Sequence, residues 1–158
     1  MTPRSNILTA LVENKSGVLN RIASLFRRRR YNIESLTVGH SEKLGYSRMT
    51  IVVNENTDIE QVFRQMYKII EVIKIKRIDS QAAIIRDLAL VKVKVTPATK
   101  AKLLKTIQLF HAEIVNKKGS EMIIQIVGQP EKINSFLDLI KVFGVVEVSR
   151  AGATAMNS

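Results

Sequence analysis

The residues Asn6 to Val12 (NILTALV) are apolar and β-prone and predict a first strand. Val18, Leu19, Ile22 and Phe26 then recur at helical spacing, which predicts a helix over Ser16 to Arg29 with those four side chains facing a core. Asn32 to His40 (NIESLTVGH) predicts a second strand, and Ser41 to Tyr46 carries turn chemistry around Gly45. Ser47 to Val53 alternates, with Met49, Ile51 and Val53 on one face of a third strand. A loop at Asn54 to Thr57, with Thr57 or Asn56 as N-cap, leads to a helix marked by Ile59, Val62, Phe63, Met66 and Ile70. Val72 to Ile78 sets Ile73 and Ile75 against Lys74 and Lys76, the pattern of a fourth strand with one wet face. By about Asp79 the order is β-α-β-β-α-β, the split unit that folds as an antiparallel sheet with two helices on one face.

The same order then repeats. Leu88 to Val95 alternates as a strand, and Thr96-Pro97 opens a helix carrying Leu103, Leu104 and Ile107. Ala112 to Asn116, a turn at Lys117-Lys118-Gly119, and Glu121 to Val127 predict a hairpin. Gln129-Pro130 opens a helix with Ile133, Phe136, Leu137 and Ile140, Gly144 stops it, and Val145 to Arg150 closes the lobe. The predicted fold is therefore α+β, two ferredoxin-like sandwiches in tandem, over residues 1–79 and 80–158, with the junction in Ser80 to Asp87. The tail from Ala151 to Ser158 is expected to be loose.

Composition narrows the function. The chain has 158 residues, 46% of them hydrophobic, enough for packed cores. No apolar run approaches the ~18 residues of a membrane span, and the opening MTPRSNIL holds no apolar signal core. The absence of cysteine excludes disulfides and thiolate metal sites and fits a reducing cytoplasm. The net charge of +11 favours nucleic acid or acidic partner surfaces and says nothing about fold.

Candidate chemistry gathers between the first strand and the first helix. Asn14-Lys15-Ser16-Gly17 places an amide side chain, a cation, a hydroxyl and a Cβ-free backbone at a helix start. A helix N-terminus with Gly17 beside it can hold a carboxylate on backbone N–H groups. A capped turn that binds nothing accounts for the same residues. The second lobe has Thr96-Pro97-Ala98-Thr99 at the matching place, with neither glycine nor amide, so a small-ligand site belongs to the first lobe. Nothing resembles an active site: His40 and His111 stand alone in different lobes, and no GxGxxG, phosphate-binding loop or HExxH occurs. Tandem lobes of this order also suggest paired RNA-recognition modules. Those stack bases on aromatics of the central strands, whereas Ile7–Val12 and Ser47–Val53 hold none.

Taken together, the segments resemble a known family. Leu11-Val12-Glu13-Asn14-Lys15-Ser16-Gly17-Val18-Leu19 is similar to the effector loop of an ACT domain. Tyr31-Asn32-Ile33-Glu34-Ser35-Leu36-Thr37-Val38 with Ser47-Arg48-Met49-Thr50-Ile51 resembles the small regulatory subunits of acetolactate synthase, and the likeness runs on through Leu90–Val93 and Val146–Gly152. The resemblance implies that the first lobe is an ACT domain and that the chain has no catalytic site of its own. It would bind and activate a catalytic large subunit that carries thiamine diphosphate, magnesium and FAD. It would also confer feedback inhibition by valine in branched-chain amino-acid synthesis. The resemblance further implies a homodimer with valine at the interface, touched by Asn14, Lys15, Ser16, Gly17 and Val18 of one chain and by Asn32 and Ile33 of the other, with Val12 also near the isopropyl group. Three positions depart from the family pattern. Arg30 replaces a usual glycine and would take a left-handed conformation at about 1 kcal/mol. Lys15 stands where an acid is common, and the tip Glu42-Lys43-Leu44-Gly45 lacks the acidic-proline sequence.

Overall fold

In the computed structural model residues 6–158 are described; most of the polar opening read above for a signal core, residues 1–5, lies outside them. The chain forms two units. One runs to Ile84 and takes in Ala153–Ser158, and the other spans Ile85–Gly152.

The first unit contains β1 (Asn6–Glu13), α1 (Val18–Arg28), β2 (Ile33–His40), β3 (Tyr46–Val53), α2 (Ile59–Met66) and β4 (Val72–Ile78). The strands lie in the order β2-β3-β1-β4 with every pair antiparallel, the arrangement of a ferredoxin-like sheet. Leu8 pairs with Ile51 and Ala10 with Met49, so period 2 sends these four side chains to one face. That face meets Val18, Ile22, Leu25 and Phe26 of α1 and Ile59, Val62 and Met66 of α2 in a single core.

The helical spacing overreached in two places. Leu19 is 48% exposed, on the flank of α1 rather than under it. Ile70 is 88% exposed because α2 ends at Met66 and the chain must reverse before Glu71, whose carbonyl accepts from the Glu13 N–H at 2.9 Å. The α2 cap is Asp58, whose carboxylate accepts from the Gln61 N–H at 3.1 Å, rather than Thr57 or Asn56.

The second unit repeats the order with β5 (Ala83–Lys94), α3 (Lys100–Leu109), β6 (Glu113–Lys118), β7 (Glu121–Gly128), α4 (Pro130–Ile140) and β8 (Val145–Arg150). The strands lie in the order β6-β7-β5-β8. Leu103, Ile107, Ile133, Phe136 and Ile140 cover Ala89, Val91, Val93, Ile124 and Ile126. Gly144, at φ 87°, reverses the chain after a short 3-10 turn at Lys141–Phe143. β5 begins inside the expected junction. Its Asp87 is buried, and its carboxylate accepts from the Arg150 Nε at 3.0 Å and from the Gly152 N–H at 3.1 Å.

The tail is not loose. Thr154–Asn157 forms β9, which lies against β1 and β4 of the first unit. Ala153 donates its N–H to Ser35 Oγ at 3.0 Å and accepts from Thr37 Oγ1 at 2.9 Å, and Ala153 and Ala155 are buried. Small side chains there let the backbone lie close to a sheet face that no helix covers.

Candidate functional site

The loop between β1 and α1 is pinned at both ends. The Asn14 N–H donates to the Gly45 carbonyl of the β2–β3 turn at 2.9 Å, and the neighbouring Glu13 N–H is held by Glu71. Gly17, not Ser16, is the N-cap of α1. It sits at φ 87°, a conformation that other residues adopt at a cost, and a Cβ built on it would meet nothing within 4 Å. Glycine is therefore required by the backbone angle rather than by crowding. No side chain caps α1, so its first turn keeps the partial positive charge of an uncapped helix start.

Lys15 does not extend freely from this loop. Its Nζ lies 2.6 Å from Glu13 Oε2, and that hydrogen bond, aided by the charges of Glu13 and Glu71, holds the Lys15 pKa above 10.5. The cation is thus largely balanced by its neighbour. Asn14, Lys15, Ser16 and Gly17 are all exposed, whereas Val18 and Val12 are buried in the core of their own unit. Only the backbone of Val18 remains near the loop, and the Val12 side chain is fully engaged inside.

Asn32 and Ile33 are elsewhere in the same chain. They follow α1, with Asn32 exposed and Ile33 half-buried at the start of β2. An 11-residue helix is about 16 Å long, and α1 lies between the two groups. Sheet register gives the same result: Ile33 pairs with Val53, while Glu13 pairs with Tyr46 at the far end of β3. One copy therefore places the Asn14–Gly17 loop at one end of its sheet and Asn32 and Ile33 at the other, and does not bring them together.

Arg30 takes φ 55°, the left-handed angle that glycine would supply. The helix ends as a glycine-stopped one would, with the Tyr31 N–H reaching the Phe26 carbonyl at 3.0 Å and the Arg30 N–H reaching that of Arg27 at 3.1 Å. Two supports escaped sequence reasoning because they depend on long-range pairing, the Gly45 carbonyl and Glu71. Among the described residues no group of three or more His, Cys, Asp or Glu is placed to hold a metal ion, and no helix is long and apolar enough to cross a membrane.

Comparison with known proteins gives consistent matches over both units. A family model described as AHAS small subunit-like ACT domain matches residues 8–74, and one described as small subunit of acetolactate synthase matches residues 86–158. The acetolactate synthase small subunit of Bacillus subtilis is 43% identical, over 94% of this chain and 88% of that protein. The probable acetolactate synthase small subunit of Archaeoglobus fulgidus is 42% identical, over 94% of each. The crystal structure of the small subunit from Thermotoga maritima superposes with a TM-score of 0.91 at 37% identity, covering 98% of both chains.

Proposed function

From the premise that this chain belongs to the family of acetolactate synthase small subunits, we propose that it binds and activates the catalytic large subunit and makes it sensitive to valine. The setting is branched-chain amino-acid synthesis in the cytoplasm. The chemistry, with thiamine diphosphate, magnesium and FAD, belongs to the large subunit, and this chain acts on it only by binding.

The observation that carries the reading is the division of the polar residues between the two ends of α1. β2 is an edge strand with Val38 half exposed, and Leu19 is exposed on α1. Antiparallel pairing of two copies through β2 sets the Ile33 end of one strand beside the His40 end of the other. His40 pairs with Ser47, next to the Tyr46 that faces Glu13, so the His40 end is also where the Asn14 loop hangs. The pairing therefore completes two equivalent sites. In each, backbone N–H groups at Gly17 receive the valine carboxylate, with Lys15 and Ser16 at the rim. Asn14 of one chain and Asn32 of the other bond the ammonium and carboxylate, and Ile33 meets the isopropyl group.

A ligand shifts an equilibrium only by binding one state better than another. A site split between chains meets that condition, because it exists in one arrangement of the pair and is broken in others. Valine then locks the arrangement in which the activating contact is weak. Calorimetry on Asn14→Ala and Asn32→Ala chains tests the site: each is expected to lose valine affinity by about ten-fold or more. Unchanged affinity in both removes it. Reconstitution with the large subunit is expected to show activation without valine and reduced activity with it.

A further inference from the structure

We propose that the cleft between α1 and the turn that follows α2 is a separate ligand site of the first unit, built for a small polyanion bearing two or more phosphate or carboxylate groups.

The cleft encloses about 500 Å³, within the roughly 300–1,000 Å³ of small-molecule sites. One wall is a face of α1 carrying Arg21, Arg27 and Arg28 with the neutral Ser24, and the other is the turn Lys68–Glu71. Four cationic residues thus face one carboxylate. Arg21 is already committed, since its guanidinium bonds Glu71 Oε1. The Glu71 side chain is only 12% exposed, and its Oε2 has no hydrogen-bond partner, so Glu71 depends on Arg21 for compensation. Among the described residues Arg27, Arg28 and Lys68 have no ion-pair partner.

A basic last turn complements the helix dipole, which explains Arg27 and Arg28 singly. It does not explain why Lys68 meets them across a cavity. Three unpaired cations around one cleft repel each other, and an anion of matching charge removes that repulsion. Guanidinium groups pair bidentately with phosphate and carboxylate oxygens. Ile70, almost wholly exposed on the same turn, offers an apolar surface to the ligand's carbon skeleton.

The site is independent of the valine site. At 100° per residue, Arg21, Ser24 and Arg28 occupy one flank of α1 and Leu19 and Ala23 the other, with Arg27 on the ridge between them. The flank carrying Leu19 is the one offered to the second copy in the pairing above, so the cleft stays open in the pair.

Titration of the full chain with tripolyphosphate and with citrate, by calorimetry at ~150 mM NaCl, is the test. At least one should bind saturably, one per chain, and whichever binds more tightly identifies phosphate or carboxylate as the preferred group. Affinity should fall about ten-fold or more in the Arg28→Ser/Lys68→Ser chain. It should be unchanged in Lys117→Ser/Lys118→Ser, which removes the same charge from the second unit. Thermal melts confirm that both variants fold, and valine affinity in both should match the parent. No saturable binding by either anion, or equal weakening in the two variants, overturns the proposal.

Discussion

Arg30 and His111 hold left-handed angles of 55° and 53°, and each closes the first helix of its unit. Around both, the next residue's N–H reaches back to a carbonyl five residues earlier, from Tyr31 to Phe26 and from Ala112 to Ile107. The two lobes solve the same helix end with the same backbone geometry and with side chains poorly suited to it. Arg30→Gly and His111→Gly should each stabilise the protein by up to about 1 kcal/mol, since the strain removed exceeds the glycine's added freedom in the unfolded chain. A rise in the urea midpoint checks this, and a fall would contradict it. The Arg30 strain was legible because a glycine position was expected there. The His111 strain was not, because the helix carried no stop signal before it.

Lys15 gives a pH prediction at the same scale. Its pKa is raised in the folded chain, first by the hydrogen bond to Glu13 and then by that group's charge. A raised pKa favours folding while the group is protonated, so the contribution is present below 10.5 and is lost only as the pH climbs through the higher folded value. Lys15 therefore stays charged across the neutral range. In Glu13→Gln, NMR titration of the Lys15 side chain should show the pKa falling toward its ordinary value, and an unmoved pKa would refute the contact.

At the scale of elements, the helices, the hairpins and the repeated β-α-β-β-α-β order were readable, because periodicity reports which face of an element is buried. Helix ends were less readable. α2 stops at Met66 because Tyr67 caps it and its hydroxyl bonds the Ile75 backbone, accepting from the N–H at 3.3 Å. Ile70 was assigned to a helix that the chain had already left. β9 left no local signal, since Thr154–Asn157 is short and Ala153, which leads into it, bonds Ser35 and Thr37 more than a hundred residues earlier. Removing residues 153–158 should cost the first unit about 2 kcal/mol from two lost hydrogen bonds, and more as the covered alanines' contacts go. Hydrogen exchange should quicken in β2 while the second unit's helices stay protected. Unchanged exchange in β2 would mean that the tail does not support that strand.

At the scale of the whole molecule, the proposed function rests on two polar groups that one copy holds apart and that pairing through β2 would bring together. Sequence reasoning singled out Asn14-Lys15-Ser16-Gly17 from local chemistry, and Asn32-Ile33 only through the family resemblance. It could not find their separation, which is set by α1 and by the register of β3. Helical spacing did place Val18 in the core, whereas the burial of Val12, expected near the isopropyl group, was not foreseen. The most direct test is to mix Asn14→Ala chains with Asn32→Ala chains, let the pairs exchange, and measure valine binding by calorimetry. In a mixed pair one site has lost both amides and the other keeps both. The account predicts that valine binding, weak in either variant alone, returns in the mixture with one parent-like site per mixed pair. If the mixture binds no better than its components, the site is not shared between chains.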